Sequence, residues 1–194
     1  MAEFSFFNEL AEKWDQMYPR DTAKIKTMLD LLFIKNGDSV LDAGSGTGIL
    51  IPFLLEKTNG KNITAIDGAK KMIEKAKQKF PGSNVNFITS DVMEYNFAPE
   101  GFNHIICYSV FPHFEDKENT VKHFSRLLAK DGLLSILHSD SKETINRIHS
   151  SSEEVSSDSL KRPADYIQFF NQEGLYEEIV IDNNEMYMLC ARKR

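Results

Sequence analysis

Short apolar segments alternate with amphipathic segments through the middle of the chain. The apolar segments have the length of buried strands: SVLDAG, NITAID, NVNFITSD, FNHIICYSV and LLSILHS. Between them lie segments with apolar residues at helical spacing, such as AKKMIEKAKQKF and ENTVKHFSRLLAKDG. This alternation predicts an open, mostly parallel sheet with helices on both faces.

The two ends of the chain depart from that alternation. Residues 3–16 and 22–34 predict two helices, and the apolar stripe of the second, which includes Phe33, indicates core packing. Near the other end, LYEEIVID and EMYMLCARK flank Asn183-Asn184, which is typical of an antiparallel hairpin. We therefore predict an α/β fold with a Rossmann-like, doubly wound sheet of seven strands. Residues 150–159, rich in serine and acid, predict a mobile loop or a frayed helix end.

A glycine loop follows the first predicted strand. Asp42, Gly44, Gly46 and Gly48 form the pattern D-x-G-x-G-x-G, and a helix predicted to begin near Gly48 comes next. A nicotinamide-binding loop would have G-x-G-x-x-G, but Ile49 stands where its third glycine belongs. No Gly-Lys-Ser/Thr follows, so a Walker loop is excluded. A plain turn remains the alternative to a ligand-binding loop.

Two further carboxylates end the next two strands. Asp67 lies about 20 residues after the loop, where a Rossmann-like fold places an acid on ribose hydroxyls. Asp91 ends the third strand, and its side chain could accept from an adenine amine or simply cap a turn. Because the carboxyl ends of parallel strands share one edge of a sheet, we expect Asp42, Asp67 and Asp91 to converge there.

Together these motifs resemble class I S-adenosylmethionine-dependent methyltransferases. VLDAGSGTG matches the first motif of the family, AIDGAKKMIEKAK the acidic second strand and its helix, TSDVMEY the adenine-contact motif, and FNHIICYSVFPHF the fourth strand. The resemblance covers residues 4–138 well and implies one domain over residues 1–194. Within it, residues 1–36 are N-terminal lid helices, 37–140 the cofactor-binding core, and 141–194 a helical segment with the C-terminal strands.

The resemblance also implies a role for individual residues toward S-adenosylmethionine. The methionine end is expected at Asp42, Gly44, Ser45, Gly46 and Gly48, the ribose at Asp67, the adenine at Gly68, Met72, Asp91 and Val92, and the ammonium group at the backbone of Tyr108 and Ser109. Trp14 and Tyr18 are expected in a lid over the cofactor. The alternative for that segment is a surface helix with an apolar stripe.

Histidines near the same strand ends are candidates for the acceptor side. His113 follows the fourth strand and His138 ends the fifth, and histidine is the side chain that titrates nearest neutrality. His149 could join them if residues 141–150 form a helix. Together with Asp140 they have the ligand types of a transition-metal site, but the spacing matches no known metal motif, so we predict no metal. Each histidine could instead be a hydrogen-bonded structural residue.

Composition and one motif limit the class of methyl acceptor that the sequence predicts. The chain has 194 residues, 41% hydrophobic and 27% charged, with a formal net charge of −6, which opposes binding to nucleic acid. Ser109-Val110-Phe111-Pro112 stands where amino-methylating DNA and RNA enzymes carry D/N-P-P-Y/F. The sequence therefore predicts methyl transfer to a small molecule. The alternatives are a non-catalytic cofactor-binding partner and an NAD-type oxidoreductase, which Ile49 disfavours.

The remaining sequence features bear on the cellular compartment of the protein. The two cysteines, Cys107 and Cys190, lie in predicted strands and have no spacing typical of disulfide frameworks or metal knuckles. No apolar run approaches the roughly 20 residues that span a bilayer. The charged N-terminal segment does not resemble a signal peptide. These features predict a cytoplasmic protein without a membrane partner.

Overall fold

A computed structural model describes residues 2–18, 21–151 and 153–194. Seven strands form a mixed sheet with parallel strands and an antiparallel C-terminal hairpin, as the sequence predicts. The chain divides into two compact units, Met1–Asn96 and Phe97–Arg194. No helix in the described ranges is long and apolar enough to cross a membrane.

The first unit contains a parallel three-stranded portion in the order β3-β2-β1. Asp42 pairs with Ala65, and Asp67 pairs with Thr89, so the strands end in close register. Its elements are β1 (Val40–Ala43), β2 (Ile63–Asp67), β3 (Asn86–Thr89), α1 (Ala2–Leu10), α2 (Trp14–Met17), α3 (Thr22–Leu31), α4 (Ile51–Lys57) and α5 (Lys70–Lys79).

The second unit contains four strands in the order β4-β5-β7-β6. β4 and β5 are parallel, whereas β7 is antiparallel to both β5 and β6. The Asn183 side chain accepts hydrogen bonds from Glu185 and Met186, which closes the predicted hairpin. Its elements are β4 (Phe102–Tyr108), α6 (Lys117–Leu127), β5 (Leu128–His138), α7 (Lys142–Ser150), α8 (Pro163–Gln172), β6 (Leu175–Asp182) and β7 (Tyr187–Lys193).

Four helix boundaries differ from the sequence prediction. The helix predicted to end at Asp131-Gly132 is α6, which ends at Leu127, and β5 begins at Leu128. The first predicted helix is two helices, because a turn after Leu10 separates α1 from α2. α3 ends at Leu31, and Phe33 has a positive φ of 52° and is 74% exposed, so it does not belong to the core stripe. α4 begins at Ile51 because Gly48 has a φ of 84°, which an α-helix does not allow.

The acidic serine segment, predicted as a mobile loop or a frayed helix end, contains the end of α7 and a short turn, and Ser152 lies outside the described residues. α7 ends at Ser150, and a 3-10 turn follows at Glu153–Val155. Val155 and Leu160 are buried, and the Asn146 side chain on α7 both donates to and accepts from the Leu160 backbone. The buried Val155 at the end of the turn and the buried Leu160 further on pack this segment against the rest of the second unit.

Candidate functional site

The glycine loop leaves β1 through a tight turn. The amides of Gly44 and Ser45 both donate to the Ile66 carbonyl oxygen on β2, at 2.9 and 3.0 Å. Gly46 has a φ of 54°, and a Cβ there would meet nothing within 4 Å. A Cβ on Gly48 would lie 3.0 Å from the Phe80 ring. Packing therefore requires glycine at 48, whereas at 46 the backbone conformation favours glycine and the loop borders open space.

Asp42 is a buried acid beside this loop. Its side chain is 1% exposed, and its Oδ2 has no hydrogen-bond partner among the described residues. Burial, and next the charge of Asp67, raise the pKa of Asp42 to about 8. The Ser45 hydroxyl is likewise buried without a hydrogen-bond partner in that part of the chain. Each unsatisfied group is costly unless a ligand completes it.

Asp67 connects the loop to the next helix. Its Oδ2 accepts from the Gly46 amide at 2.8 Å, and its Oδ1 accepts from the Ala69 amide at 2.8 Å, just before α5 begins. A carboxylate has about four acceptor positions, so one such group can accept from backbone amides and from hydroxyl donors of a ligand. The loop and the second acid, 21 residues apart in sequence, are thus in direct contact.

Asp91 lies at the same edge of the first unit. β3 pairs with β2 through Thr89 and Asp67, and the Ser90 amide donates to the Asp67 carbonyl oxygen at 3.1 Å. The Asp91 Oδ1 accepts from the Met93 amide at 2.8 Å, so its side chain closes a turn, and Val92 next to it is buried. The three acids therefore converge on one strand edge, as expected, and Asp91 also has the turn-capping contact that was its alternative.

Helix α1 lies directly on the segment that is predicted to flank an adenine. A Cβ on Gly68 would lie 2.2 Å from the Phe4 ring, so that ring covers Gly68. Ala11, Ala69 and Met72 form a small apolar core, against which Phe7 and Trp14 pack. The rings of Trp14 and Tyr18 are 4.6 Å apart. Sequence reasoning identified Trp14, Tyr18, Gly68 and Met72, but it missed Phe4.

A polar network connects α2 with the glycine loop. The Thr47 hydroxyl donates to Asp15 Oδ1 at 2.5 Å, and Lys79 donates to Asp15 Oδ2 at 2.8 Å and to the Thr47 hydroxyl at 3.2 Å. Burial opposes ionisation of Asp15, but its hydrogen bonds with Lys79 and Thr47 outweigh that effect and lower its pKa. At the other end of α5, Asn8 accepts from the Lys71 amide at 2.8 Å. These contacts join residues far apart in sequence, so no local pattern predicts them.

In the second unit, hydrogen bonds link the carboxyl ends of β4 and β5. The Tyr108 hydroxyl and the Ser139 hydroxyl are 2.8 Å apart, and the Ser109 amide donates to the Leu137 carbonyl oxygen at 2.9 Å. Ser109 has a positive φ of 54°, and its hydroxyl is buried with no hydrogen bond to any described residue. The backbone at Tyr108 and Ser109 thus turns at the carboxyl end of β4, where the resemblance predicts a ligand contact.

His113 lies in a 3-10 turn that follows β4. Its Nδ1 is 2.7 Å from Asp158 Oδ2, and its ring centroid is 5.0 Å from that of His149 on α7. His149 Nδ1 is 2.7 Å from the Asp158 carbonyl oxygen. Residues 142–150 do form a helix, so the condition for bringing His149 to His113 is met. Sequence reasoning missed Asp158, because an acid in a serine-rich stretch carries no signal of a partner.

His138 does not join this cluster. It is 1% exposed, and its ring packs edge-on against Tyr187 of β7 with centroids 6.0 Å apart. In the described part of the chain, no three His, Cys, Asp or Glu side chains are placed to hold a metal ion. The set His113, His138, Asp140 and His149 is therefore not assembled as one group of ligands.

Comparison with known proteins shows which family model and which curated proteins the chain matches. A family model described as a methyltransferase domain matches residues 40–132. The chain is 34% identical over 131 residues to malonyl-[acyl-carrier protein] O-methyltransferase of Acetivibrio thermocellus, covering 66% of this chain and 46% of that protein. It is 29% identical over 136 residues to demethylmenaquinone methyltransferase of Thermotoga maritima, covering 68% and 58%. The chain thus spans about half the length of these curated relatives.

A solved structure agrees at the level of the fold. A SAM-dependent methyltransferase from Aquifex aeolicus superposes with a TM-score of 0.74 at 17% identity, covering 96% of this chain and 98% of that one. The family match begins at the first residue of β1, includes the glycine loop and all three converging acids, and ends just inside β5. Over residues 40–132 the chain therefore carries a methyltransferase domain.

Proposed function

We propose that this chain transfers a methyl group from S-adenosylmethionine to a small-molecule acceptor. One observation carries the proposal: Asp42 is buried, its Oδ2 has no hydrogen-bond partner among the residues that the structure describes, and it lies beside a glycine loop that Asp67 contacts. A buried acid in this state is unfavourable for stability alone, and its position at the carboxyl edge of a parallel sheet is where α/β folds bind ligands.

The residues present fit S-adenosylmethionine. Its methionine ammonium group would supply a donor and a positive charge to Asp42, and the Ser45 hydroxyl has no hydrogen-bond partner within the described ranges. Gly46 borders space that no Cβ would contact. The Asp67 carboxylate can accept from ribose hydroxyls, each charge-assisted bond contributing about 1.5–3 kcal/mol. When bound, the cofactor supplies an electrophilic methyl group on a sulfonium, which needs positioning more than activation.

The remaining predicted residues keep their proposed roles. Around the adenine these are Gly68, Met72, Asp91 and Val92; in the lid, Trp14 and Tyr18; at the ammonium group, the backbone of Tyr108 and Ser109; and on the acceptor side, His113 and His138. Of the two histidines, His113 is the stronger candidate, because it is hydrogen-bonded to a carboxylate in a turn at a strand end. His138 is enclosed by β5 and β7, which favours the structural alternative.

Two observations favour a small acceptor. Demethylmenaquinone methyltransferase is named for a small molecule, and malonyl-[acyl-carrier protein] O-methyltransferase for an acyl group on a carrier. The net charge of −6 opposes a polyanionic partner. The atom that receives the methyl group is not specified by either observation.

Calorimetry with S-adenosylmethionine, S-adenosylhomocysteine and NAD tests cofactor binding. We expect the two adenosyl compounds to bind and NAD not to bind. Asp42→Ala should abolish binding, whereas Glu56→Gln, an exposed acid on α4, should not change it. Lack of binding by the wild-type chain would overturn the proposal.

Transfer of labelled methyl from S-adenosylmethionine to a panel of thiols, amines, hydroxy acids, phenols and quinols tests the reaction. We expect turnover on at least one class. Binding without turnover on any class would favour a non-catalytic cofactor-binding partner instead.

A further inference from the structure

The middle of the glycine loop is held by a side chain that reaches outside the loop. Thr47 lies between Gly46 and Gly48, whose φ angles of 54° and 84° are both left-handed. Its hydroxyl donates to Asp15 Oδ1 at 2.5 Å and accepts from Lys79 Nζ at 3.2 Å, and the residue is only 3% exposed. Because glycine loses more conformational freedom on ordering than any other residue, these contacts restrict the stretch that the two glycines would leave mobile.

Helix α5 brings its last residue, Lys79, to the same loop. A Cβ on Gly48 would lie 3.0 Å from the Phe80 ring, so the end of α5 packs directly on the loop. Just before the start of α5, Asp67 accepts a hydrogen bond from the Gly46 amide at 2.8 Å. The loop therefore contacts both ends of α5, while its central hydroxyl contacts α2.

Two acids of the N-terminal segment pair with two lysines on one face of α5. Lys75 and Lys79 are one helical turn apart, which places their side chains next to each other. Lys79 Nζ is 2.8 Å from Asp15 Oδ2, and Lys75 Nζ is 2.5 Å from Glu12 Oε2. The two acids are 50% and 69% exposed, so water screens both ion pairs. Within the described ranges, however, Asp15 hydrogen-bonds to the glycine loop and Glu12 does not.

The Asp15 carboxylate is ionised when it makes these contacts. Burial opposes its ionisation, but hydrogen bonds from Lys79 and Thr47 and the charges of Lys79 and Lys75 lower its pKa below the usual value. An ionised carboxylate only accepts hydrogen bonds, so the Thr47 hydroxyl must donate to it, and a lone pair of that hydroxyl remains for Lys79. The bond to Asp15 is thus charge-assisted, and such bonds are stronger than those between neutral groups.

We propose that Asp15 is a positioning residue for the cofactor: through the Thr47 hydroxyl it fixes the glycine loop, so that docking of α2 and binding of the adenosyl ligand are coupled. The inference rests on the proposed function, which assigns the glycine loop to the methionine end of S-adenosylmethionine. Helix α2 then acts on the loop through one hydrogen bond, rather than only by covering the ligand. The same bond gives α2, a helix of four residues, a defined position.

Coupling of this kind works in both directions. If a fixed loop binds the ligand more tightly, a bound ligand must hold α2 in place by the same factor. Trp14 is the one tryptophan of the chain, precedes Asp15 and packs against the core of Ala11, Ala69 and Met72. Its fluorescence therefore reports on the docking of α2.

Calorimetry with S-adenosylhomocysteine tests the positioning role in the full chain. Asp15→Ala should raise the dissociation constant about 10-fold, and Thr47→Val, which replaces the hydroxyl with a methyl group of similar shape, should do the same. Thr47→Ser keeps the hydroxyl and should retain wild-type affinity. Because Asp15 and Thr47 act through one bond, the double variant should bind no more weakly than either single variant.

Glu12→Ala is the matched control, since it breaks the neighbouring ion pair with α5 without removing a contact to the loop. Its dissociation constant should stay within about 2-fold of wild type, as expected for an exposed pair. Weakening equal to that of Asp15→Ala would show that the acids only dock the helix, and would overturn the inference. Effects of Asp15→Ala and Thr47→Val that multiply in the double variant, or wild-type affinity in either single variant, would overturn it too.

Acrylamide quenching of Trp14 fluorescence tests the reverse direction and needs no methyl acceptor. Saturating S-adenosylhomocysteine should reduce quenching in the wild-type chain and in Glu12→Ala, but not in Asp15→Ala or Thr47→Val. Equal protection of Trp14 in all four proteins, or none in the wild type, would refute the coupling and leave the proposed function intact. A wild-type chain that binds no S-adenosylhomocysteine would instead refute the proposed function, and the coupling with it.

Discussion

At the residue scale, Asp42 shows how a functional group can oppose the stability of the fold. Its carboxyl group is fully buried, near Asp67, and lacks a partner for Oδ2 among the described residues. Such a group gains a proton on folding, because neutral acid is cheaper to bury than carboxylate. A ligand that supplies a positive charge and donors reverses that preference.

This argument predicts how stability changes with pH. The pKa of Asp42 rises from 3.8 in the unfolded chain to about 8 in the fold, so the folded state binds the extra proton between these values. The contribution of Asp42 to stability is fully present below pH 3.8 and is lost as pH rises through 8. Asp42→Asn, which stays neutral, should be more stable than wild type at pH 8 by a few kcal/mol, at roughly 1.4 kcal/mol per pKa unit, and similar at pH 4.

Urea denaturation of both proteins at pH 4, 6 and 8 measures this difference, with Glu56→Gln as the exposed-acid control. The same Asp42→Asn variant should bind S-adenosylhomocysteine at least 10-fold more weakly, the effect of about 1.4 kcal/mol. A stability difference that stays constant across the three pH values would show that folding does not raise the pKa of Asp42.

At the element scale, α1 and α2 connect to α5 and the glycine loop through both apolar and polar contacts. The apolar contact is Phe7 and Trp14 on Met72, and the polar contact is Asp15 with Thr47 and Lys79. The short α2 cannot be stable alone, since isolated helices below ~12 residues are marginal in water. Its position therefore depends on these tertiary contacts.

Trp14→Ala tests the lid assignment of these helices. Removal of the half-buried ring takes away its contact with the Met72 core and with Tyr18, which should loosen α2 and weaken S-adenosylhomocysteine binding about 10-fold, a loss of about 1.4 kcal/mol. Met17→Ala, on the same helix but 49% exposed, is the matched control. Equal dissociation constants by calorimetry for Trp14→Ala and wild type would remove the assignment.

The position of Phe4 predicts that removing its ring speeds cofactor binding, whereas removing the Trp14 ring weakens it. Its ring covers Gly68, where the adenine is proposed to bind, so the ring must move before the ligand reaches that backbone. Phe4→Ala should therefore raise the association rate of S-adenosylhomocysteine several-fold in stopped-flow fluorescence. Phe33→Ala, at an exposed aromatic of the same unit, should leave the rate unaltered. A slower association in Phe4→Ala would mean that the ring helps to form the site.

At the scale of the whole molecule, both cysteines lie on buried strands of the second unit. Cys107 on β4 and Cys190 on β7 are 0% exposed and form no disulfide. Burial raises the pKa of the Cys190 thiol to about 12, so its reactive thiolate is scarce at neutral pH. Thiol chemistry should therefore report on unfolding of the strands.

We expect neither thiol to react with a disulfide reagent at pH 8 in the native protein, and both to react in denaturant. A reducing agent should not change the midpoint of unfolding, because no disulfide contributes to stability. Rapid stoichiometric labelling of the native chain would contradict the buried positions of β4 and β7.

Much of this architecture could be predicted because its signals are local. The strand at Val40–Ala43 is a short apolar run, and the turn at Asn183 has a known hairpin pattern. The glycine loop is indicated by its spacing alone, D-x-G-x-G-x-G. Helix limits were less predictable. Phe33 fits the apolar stripe by spacing, yet its positive φ ends the helix and exposes the ring.

The sequence by itself determined the order of strands and helices, the glycine loop and the acids that follow the strands, since periodicity and backbone preference act over a few residues. Only the tertiary structure decided that Asp42 is buried with a raised pKa, that Phe4 covers Gly68, and that Asp158 contacts two histidines. Burial, pKa and hydrogen-bond partners depend on residues brought together from distant parts of the chain. No window of sequence contains those neighbours, so no local pattern could have revealed them.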